Sequence, residues 1–321
     1  MKYIDLHLHL DGSISIKNAR VLAKMQNIGI PESDDELKSL LCAPEDCASL
    51  DDYLKCFEFP LRLLQTKESI SKAVYNLLEE LKANDLIYAE VRFAPQLHTR
   101  MGLSQDDVVT AAIEGASKSE LPCGIILCCM RGEDNERENL ITCKLAEKYQ
   151  GQGVVALDLA GAESIYPTED YIQIFNFAYS KHIPLTVHCG EAAGPESVEQ
   201  ALLYGCKRIG HGVRAIENKA VMREIIDRKI VLELCPKSNM DTKAMPKEQY
   251  PIKRFMQMGV LITLNTDNLS VSDTTIQKQY EIVKTEFNIT DEEVNRIMLN
   301  SVDAAFASDS VKERLRSQIF S

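Results

Sequence analysis

The chain has 321 residues, a formal net charge of −12 and a hydrophobic content of 45%. Such an acidic balance excludes a polyanion as the main partner, because binding a phosphate backbone needs a Lys/Arg surplus on at least one face, so no nucleic acid is expected. No run of about 18 apolar residues is present, and charged residues break up the start of the chain; no membrane span and no secretory leader are expected, and the protein is expected to be cytoplasmic.

The first stretch, Tyr3-Ile4-Asp5-Leu6-His7-Leu8-His9-Leu10-Asp11-Gly12-Ser13, alternates with period two. A strand there puts Ile4, Leu6, Leu8 and Leu10 on one face and Asp5, His7, His9 and Asp11 on the other. Two imidazoles therefore point the same way. Further apolar runs follow at 87–93, 123–130, 154–160, 184–190, 207–212, 229–235 and 260–267. Helical patterns lie between them, such as Ser104 to Lys118, Asp134 to Tyr149, Pro195 to Tyr204 and Asn218 to Asp227, each long enough to return the chain parallel to the strand before.

Eight near-continuous apolar strands alternating with helices predict a (β/α)₈ TIM barrel. With no repeat, low-complexity tract or linker in the sequence, residues 1–321 are expected to form one domain. The stretch from Ser15 to Lys82 is too long for one crossover and predicts a helical insertion after the first strand. Its apolar residues, among them Tyr53, Leu54 and Phe57, are read either as a lid over the barrel mouth or as plain core. Thr290 and Glu293 predict a capping box opening a C-terminal helix that buries Val294, Ile297, Met298 and Val302. The ten cysteines are scattered, with no Cys-x-x-Cys pair, and are read as reduced and mostly buried.

In such a barrel the chemistry sits at the C-terminal ends of the strands. Four of the six histidines, His7, His9, His188 and His211, fall at predicted strand ends, and the last strand ends in Asp267-Asn268. Three imidazoles and a carboxylate suit Zn²⁺ with a position left for water, so His7, His9, His188 and Asp267 are assigned as its ligands, one ion per chain. Glu191 lies three residues past His188 and can enter the same cavity without being a ligand. A carboxyl in an apolar pocket has a raised pKa and can donate a proton, while His211 from the next strand can orient or deprotonate the water.

His7-Leu8-His9-Leu10-Asp11-Gly12-Ser13, Leu159-Ala160-Gly161-x-Glu163, Val187-His188-Cys189-Gly190-Glu191, Arg208-Ile209-Gly210-His211-Gly212, Cys235-Pro236-x-Ser238-Asn239 and Asn265-Thr266-Asp267-Asn268 together resemble the motifs of the adenosine/adenine deaminase family, within the metal-dependent amidohydrolase superfamily. They stand in family order along the chain. The resemblance implies a zinc hydrolase of purine salvage that replaces the 6-amino group of adenosine, and of 2′-deoxyadenosine, with water, giving inosine and ammonia. It implies Glu191 as the proton donor to purine N1 and His211 as the group that holds and deprotonates the water. His9 and Asp11 would face the substrate, Asp11 accepting the ribose 5′-hydroxyl; Gly161 would offer its N–H to N3, and Asn268 its amide to N7.

Animal-type members carry a second aspartate where this chain has Asn268, and bacterial members look similar to this chain. Relatives acting on free adenine or other 6-aminopurines tend to carry Glu at the place of Asp11, which favours a nucleoside here. Relatives with two metals use a carboxylated lysine at the end of strand four, where this chain has Asp158-Leu159-Ala160-Gly161. A nucleoside-binding or metal-sensing protein on the same scaffold is the non-enzymatic alternative, and such a protein needs neither Glu191 nor His211.

Overall fold

The structure, a computed structural model, describes residues 1–44, 47 and 49–320, with only the backbone of Asp51. Eight parallel strands form its centre: β1 (Tyr3–His9), β2 (Leu86–Phe93), β3 (Cys123–Met130), β4 (Val154–Ala160), β5 (Thr186–Cys189), β6 (Arg208–His211), β7 (Val231–Leu234) and β8 (Leu261–Leu264). They pair in chain order as two four-stranded sheets, β1 to β4 and β5 to β8. Bridges between Leu157 and Leu185 and between Leu8 and Asp267 join the sheets at both seams. At the second seam the His9 N–H donates to the Asp267 carbonyl and the Asp267 N–H to the His7 carbonyl, each at 2.8 Å. The sheet thus closes on itself as the predicted (β/α)₈ barrel.

The alternation in β1 has a direct structural counterpart. Ile4, Leu6 and Leu8 turn outward and are buried under the helices, while Asp5 and His7 are fully buried inside the barrel. The later strands are shorter than predicted, β7 ending at Leu234 and β8 at Leu264. Their polar tails leave the ladder: the side chain of Asn265 accepts the Leu6 N–H, and Asp267 adopts φ +61°. His211 likewise has φ +63°, an uncommon conformation for a residue with a Cβ and one concentrated at functional rims.

Between β1 and β2 the insertion forms helices Ile16–Gln26, Asp34–Leu41, Leu50–Leu54, Glu58–Arg62 and Lys67–Ala83. The amphipathic run from Leu50 is broken at Lys55–Phe57, and the next helix carries Pro60 in its first turn, where a missing N–H costs nothing. Past β8, helix Asp291–Ala304 opens on the predicted Thr290–Glu293 capping box and buries Val294, Ile297, Met298 and Val302. The chain then closes the far end of the barrel. The Phe306 N–H donates to Glu90, the Ala304 carbonyl accepts from Arg208, and the Arg208 guanidinium lies 3.9 Å from the Phe306 ring centre. All ten cysteines are free and seven are buried. No helix among the described residues is long and apolar enough to cross a membrane.

Candidate active site

At the C-terminal rim, one donor atom from each of His7, His9, His188 and Asp267 lies within 4.8 Å of the other three. The Nε2 atoms of His9 and His188 face each other at 3.1 Å, and both His7 Nε2 and His9 Nε2 stand 3.4 Å from Asp267 Oδ1. The other nitrogens are occupied: His7 Nδ1 lies 2.8 Å from Glu233 Oε2, and His188 Nδ1 lies 2.9 Å from Asp158 Oδ2. A carboxylate on Nδ1 fixes the proton there and leaves the Nε2 lone pair aimed into the site. His7 Nε2 is buried with no hydrogen-bond partner among the described residues. Converging imidazole lone pairs, an orphaned nitrogen and one carboxylate form the donor set of a borderline-soft divalent cation, so the residues present fit a metal ion. Gly210 makes room for this arrangement, since a Cβ there would stand 2.9 Å from His7 Cε1.

Glu191 and His211 sit beside this cluster. Glu191 is buried, and burial, reinforced by the charge of Asp267, pushes its carboxyl up to about 8 against an opposing hydrogen bond from Thr242. Its Oε1 accepts from Thr242 Oγ1 at 2.9 Å and from Asn239 Nδ2 at 3.3 Å, which leaves the carboxyl proton to Oε2, 3.4 Å from His211 Nε2. Tyr250 donates to Asn239 Oδ1, so the Asn239 amide nitrogen faces His211 Nδ1 at 2.9 Å. The neutral His211 ring therefore carries its proton on Nε2. Burial holds His211 well below the usual imidazole range.

A cavity of about 270 Å³ opens onto these groups and onto Asp11, Gly161 and Asn268. Leu50, Tyr53, Leu54, Phe57 and Leu61 of the insertion form its roof. These apolar residues are thus a lid, and the Tyr53 hydroxyl ties it to Ser272, in the loop after β8, at 2.6 Å. Burial pushes the Asp11 carboxyl up to about 6. Gly161 has φ +109°. Asn268 Oδ1 is buried without a hydrogen-bond partner among the described residues and presses on Gly12, where a Cβ would lie 1.7 Å from it.

His9, Asp11, Gly161, His188, Glu191, His211, Asp267 and Asn268 therefore line one cavity and His7 joins them through the donor cluster, while His98 and His182 stay outside both. Sequence reasoning gave no role to the supports. Ser238 donates to Asp267 Oδ2 at 2.5 Å, and Asn239 and Thr242 hold Glu191. Glu233 and Asp158 also bind Arg92 inside the barrel. The signal was available as charged residues interrupting apolar strands, Arg92 in β2, Asp158 in β4, Arg208 in β6 and Glu233 in β7.

A closed parallel barrel with a histidine–carboxylate cluster at its C-terminal rim has the arrangement of a metal-dependent barrel enzyme. The chain belongs to the adenosine deaminase family, whose model matches residues 3–321. It is 47% identical over 326 residues to the adenosine deaminase of Haemophilus ducreyi, covering 98% of this chain and 95% of that one. Among solved structures, the adenine deaminase of Arthrobacter aurescens shares the fold with a TM-score of 0.87 at 21% identity, covering 99% and 98% of the two chains. A zinc-bound amidohydrolase from a Burkholderia species superposes with a TM-score of 0.89 at 21% identity, covering 99% and 89%.

Proposed function

We propose that this chain is a cytoplasmic, single-domain enzyme that hydrolyses adenosine, and 2′-deoxyadenosine, to inosine and ammonia. The observation that carries this reading is Glu191, a buried carboxyl held by Thr242 and Asn239 beside the histidine–carboxylate cluster, pushed upward by burial and facing a purine-sized cavity. The relative from Haemophilus ducreyi supports the choice of nucleoside, and the short Asp11, rather than a glutamate, leaves room for the ribose.

His7, His9, His188 and Asp267 would hold one zinc ion per chain, which when bound lowers the pKa of a coordinated water toward about 7 and so supplies the nucleophile. Glu191 would give its Oε2 proton to purine N1, drawing electrons from C6 and opening it to attack. His211 would hold the attacking water. Because its Nε2 carries a proton, the neutral ring orients the water by donation, and the water's proton would pass to the Glu191 carboxylate left when N1 is protonated, 3.4 Å from that nitrogen. Asp11 would accept the 5′-hydroxyl, His9 would border the substrate, Gly161 would offer its N–H to N3, and the lid would exclude water. Asn268, its Oδ1 fixed against Gly12, would turn its amide N–H groups to N7.

The direct test is metal analysis together with the ultraviolet change as adenosine becomes inosine, with adenine run in parallel. One zinc per chain and turnover of adenosine alone support the reading; turnover of adenine alone overturns the nucleoside assignment. Two further outcomes are expected. Since Glu191 must be protonated to act, kcat/KM should fall with rising pH along a limb no higher than about 8, because a cation beside Asp267 weakens the charge that helps raise it. Asn268→Asp should make activity more pH-dependent than in the wild type, because an acid can donate to N7 only while protonated; superimposable pH profiles would remove the N7 contact.

A further inference from the structure

The turn that carries Glu191 is gripped by a carboxylate from another loop. Glu163, buried and two residues past Gly161, accepts the backbone N–H groups of Gly190 at 2.7 Å, Glu191 at 3.1 Å, Ala192 at 2.8 Å and Ala193 at 3.0 Å. Ser197 adds its hydroxyl to Glu163 Oε1. Five donors thus converge on a side chain with about four lone-pair sites, so its acceptor capacity is fully used. Four successive N–H groups ahead of helix Pro195–Leu203 make a concave anion nest, and here the anion is built in.

The other side of the turn is tied to the same loop. Ser197 pairs with Thr168 at 2.7 Å, and Arg131 bridges Thr168 at 2.9 Å to the His188 carbonyl at 2.7 Å. Glu163 itself does not line the cavity.

We propose that Glu163 is a positioning residue: by holding the Gly190–Ala193 backbone it sets where the Glu191 carboxyl stands in the cavity. This rests on the reading of Glu191 as proton donor. A glutamine at 163 has only one acceptor oxygen and turns N–H groups toward N–H groups, so the turn must shift. Asp11, Asn268 and the lid stand on other segments and keep their places, and Gly161, on the Glu163 segment, follows Ala160, whose carbonyl stays bonded to the Arg131 N–H at 2.8 Å. Ground-state binding should therefore survive while proton transfer suffers.

The experiment compares Glu163→Gln, Glu191→Gln and the double variant by kcat, KM and zinc content. Glu163→Gln should keep its zinc, hold KM within about 3-fold and lose about 30- to 100-fold in kcat, the scale of a misplacement near 1 Å. The double variant should be no slower than Glu191→Gln alone, because Glu163 acts through that group. Wild-type kcat in Glu163→Gln, or multiplying losses in the double variant, overturns the proposal and leaves the proton donor standing. An active Glu191→Gln overturns both. Should Glu163→Gln fail to fold, Ser197→Ala removes one of the five donors: a few-fold loss in kcat at constant KM supports the proposal, and unchanged kcat overturns it.

Discussion

Glu191→Gln is expected to lower kcat by about 10³-fold or more, within the 10²–10⁴ range for a positioned proton donor, while the variant keeps its metal. An amide in the same place can hydrogen-bond to purine N1 but cannot hand over a proton. Because Glu191 contributes none of the donor atoms clustered by His7, His9, His188 and Asp267, the metal site stays whole. His188→Ala should instead lose metal and turnover together, and the pair of variants separates the two roles. Near-wild-type kcat in Glu191→Gln would sink the proton-donor assignment.

The same variant tests how the site is kept neutral. The folded chain holds the Glu191 proton up to about 8, whereas the usual value is 4.5, so between those values the folded state binds more protons than the unfolded one and stability falls as pH rises. Glutamine has no proton to hold. The metal-free variant should melt at a higher temperature than the metal-free wild type at pH 7 to 8 and show a flatter dependence of stability on pH. Function at this position is therefore held at the expense of stability.

The parts legible in the sequence share one property: their signal is local. Period-two alternation placed His7 and His9 on the inner face of β1, the capping box at Thr290 marked a helix start, and strand-end positions gathered His188, His211 and Asp267. What the sequence hid depends on residues far apart. Glu233 lies 226 positions from His7, and Glu163 reaches the Gly190–Ala193 turn from 27 to 30 positions away. A charged residue inside an apolar run shows that something must neutralise it, but not what. Only the closed barrel brings Arg92, Arg208 and Glu233 together. The lid was ambiguous for a related reason: an apolar face reads the same whether it covers core or a cavity, and the cavity that separates the cases has walls from segments far apart, Tyr53 with Gly161 and Asn268.

Glu233→Gln should therefore damage stability and metal affinity at once. The Glu233 carboxylate accepts from His7 Nδ1 at 2.8 Å, Arg92 at 2.9 Å, Arg208 Nε at 2.6 Å and Thr186 at 2.9 Å, all fully buried. Burial alone would raise its pKa, but Arg92 and Arg208 hold it well below the usual carboxylate range. An amide removes the charge that both guanidiniums face and turns an N–H toward one of its four donors. Breaking a buried ion pair in this way costs about 3–5 kcal/mol.

The effect on the metal has a separate origin. Without the carboxylate, His7 Nδ1 loses the partner that keeps the proton off Nε2, and metal affinity should drop about 10- to 100-fold, the usual consequence of losing such a support. Denaturant unfolding of the metal-free protein reads the first effect, and competition with a chelator of known affinity reads the second. Lost stability with unchanged metal affinity would show that Glu233 serves the barrel interior alone and that His7 is oriented by its packing against Gly210.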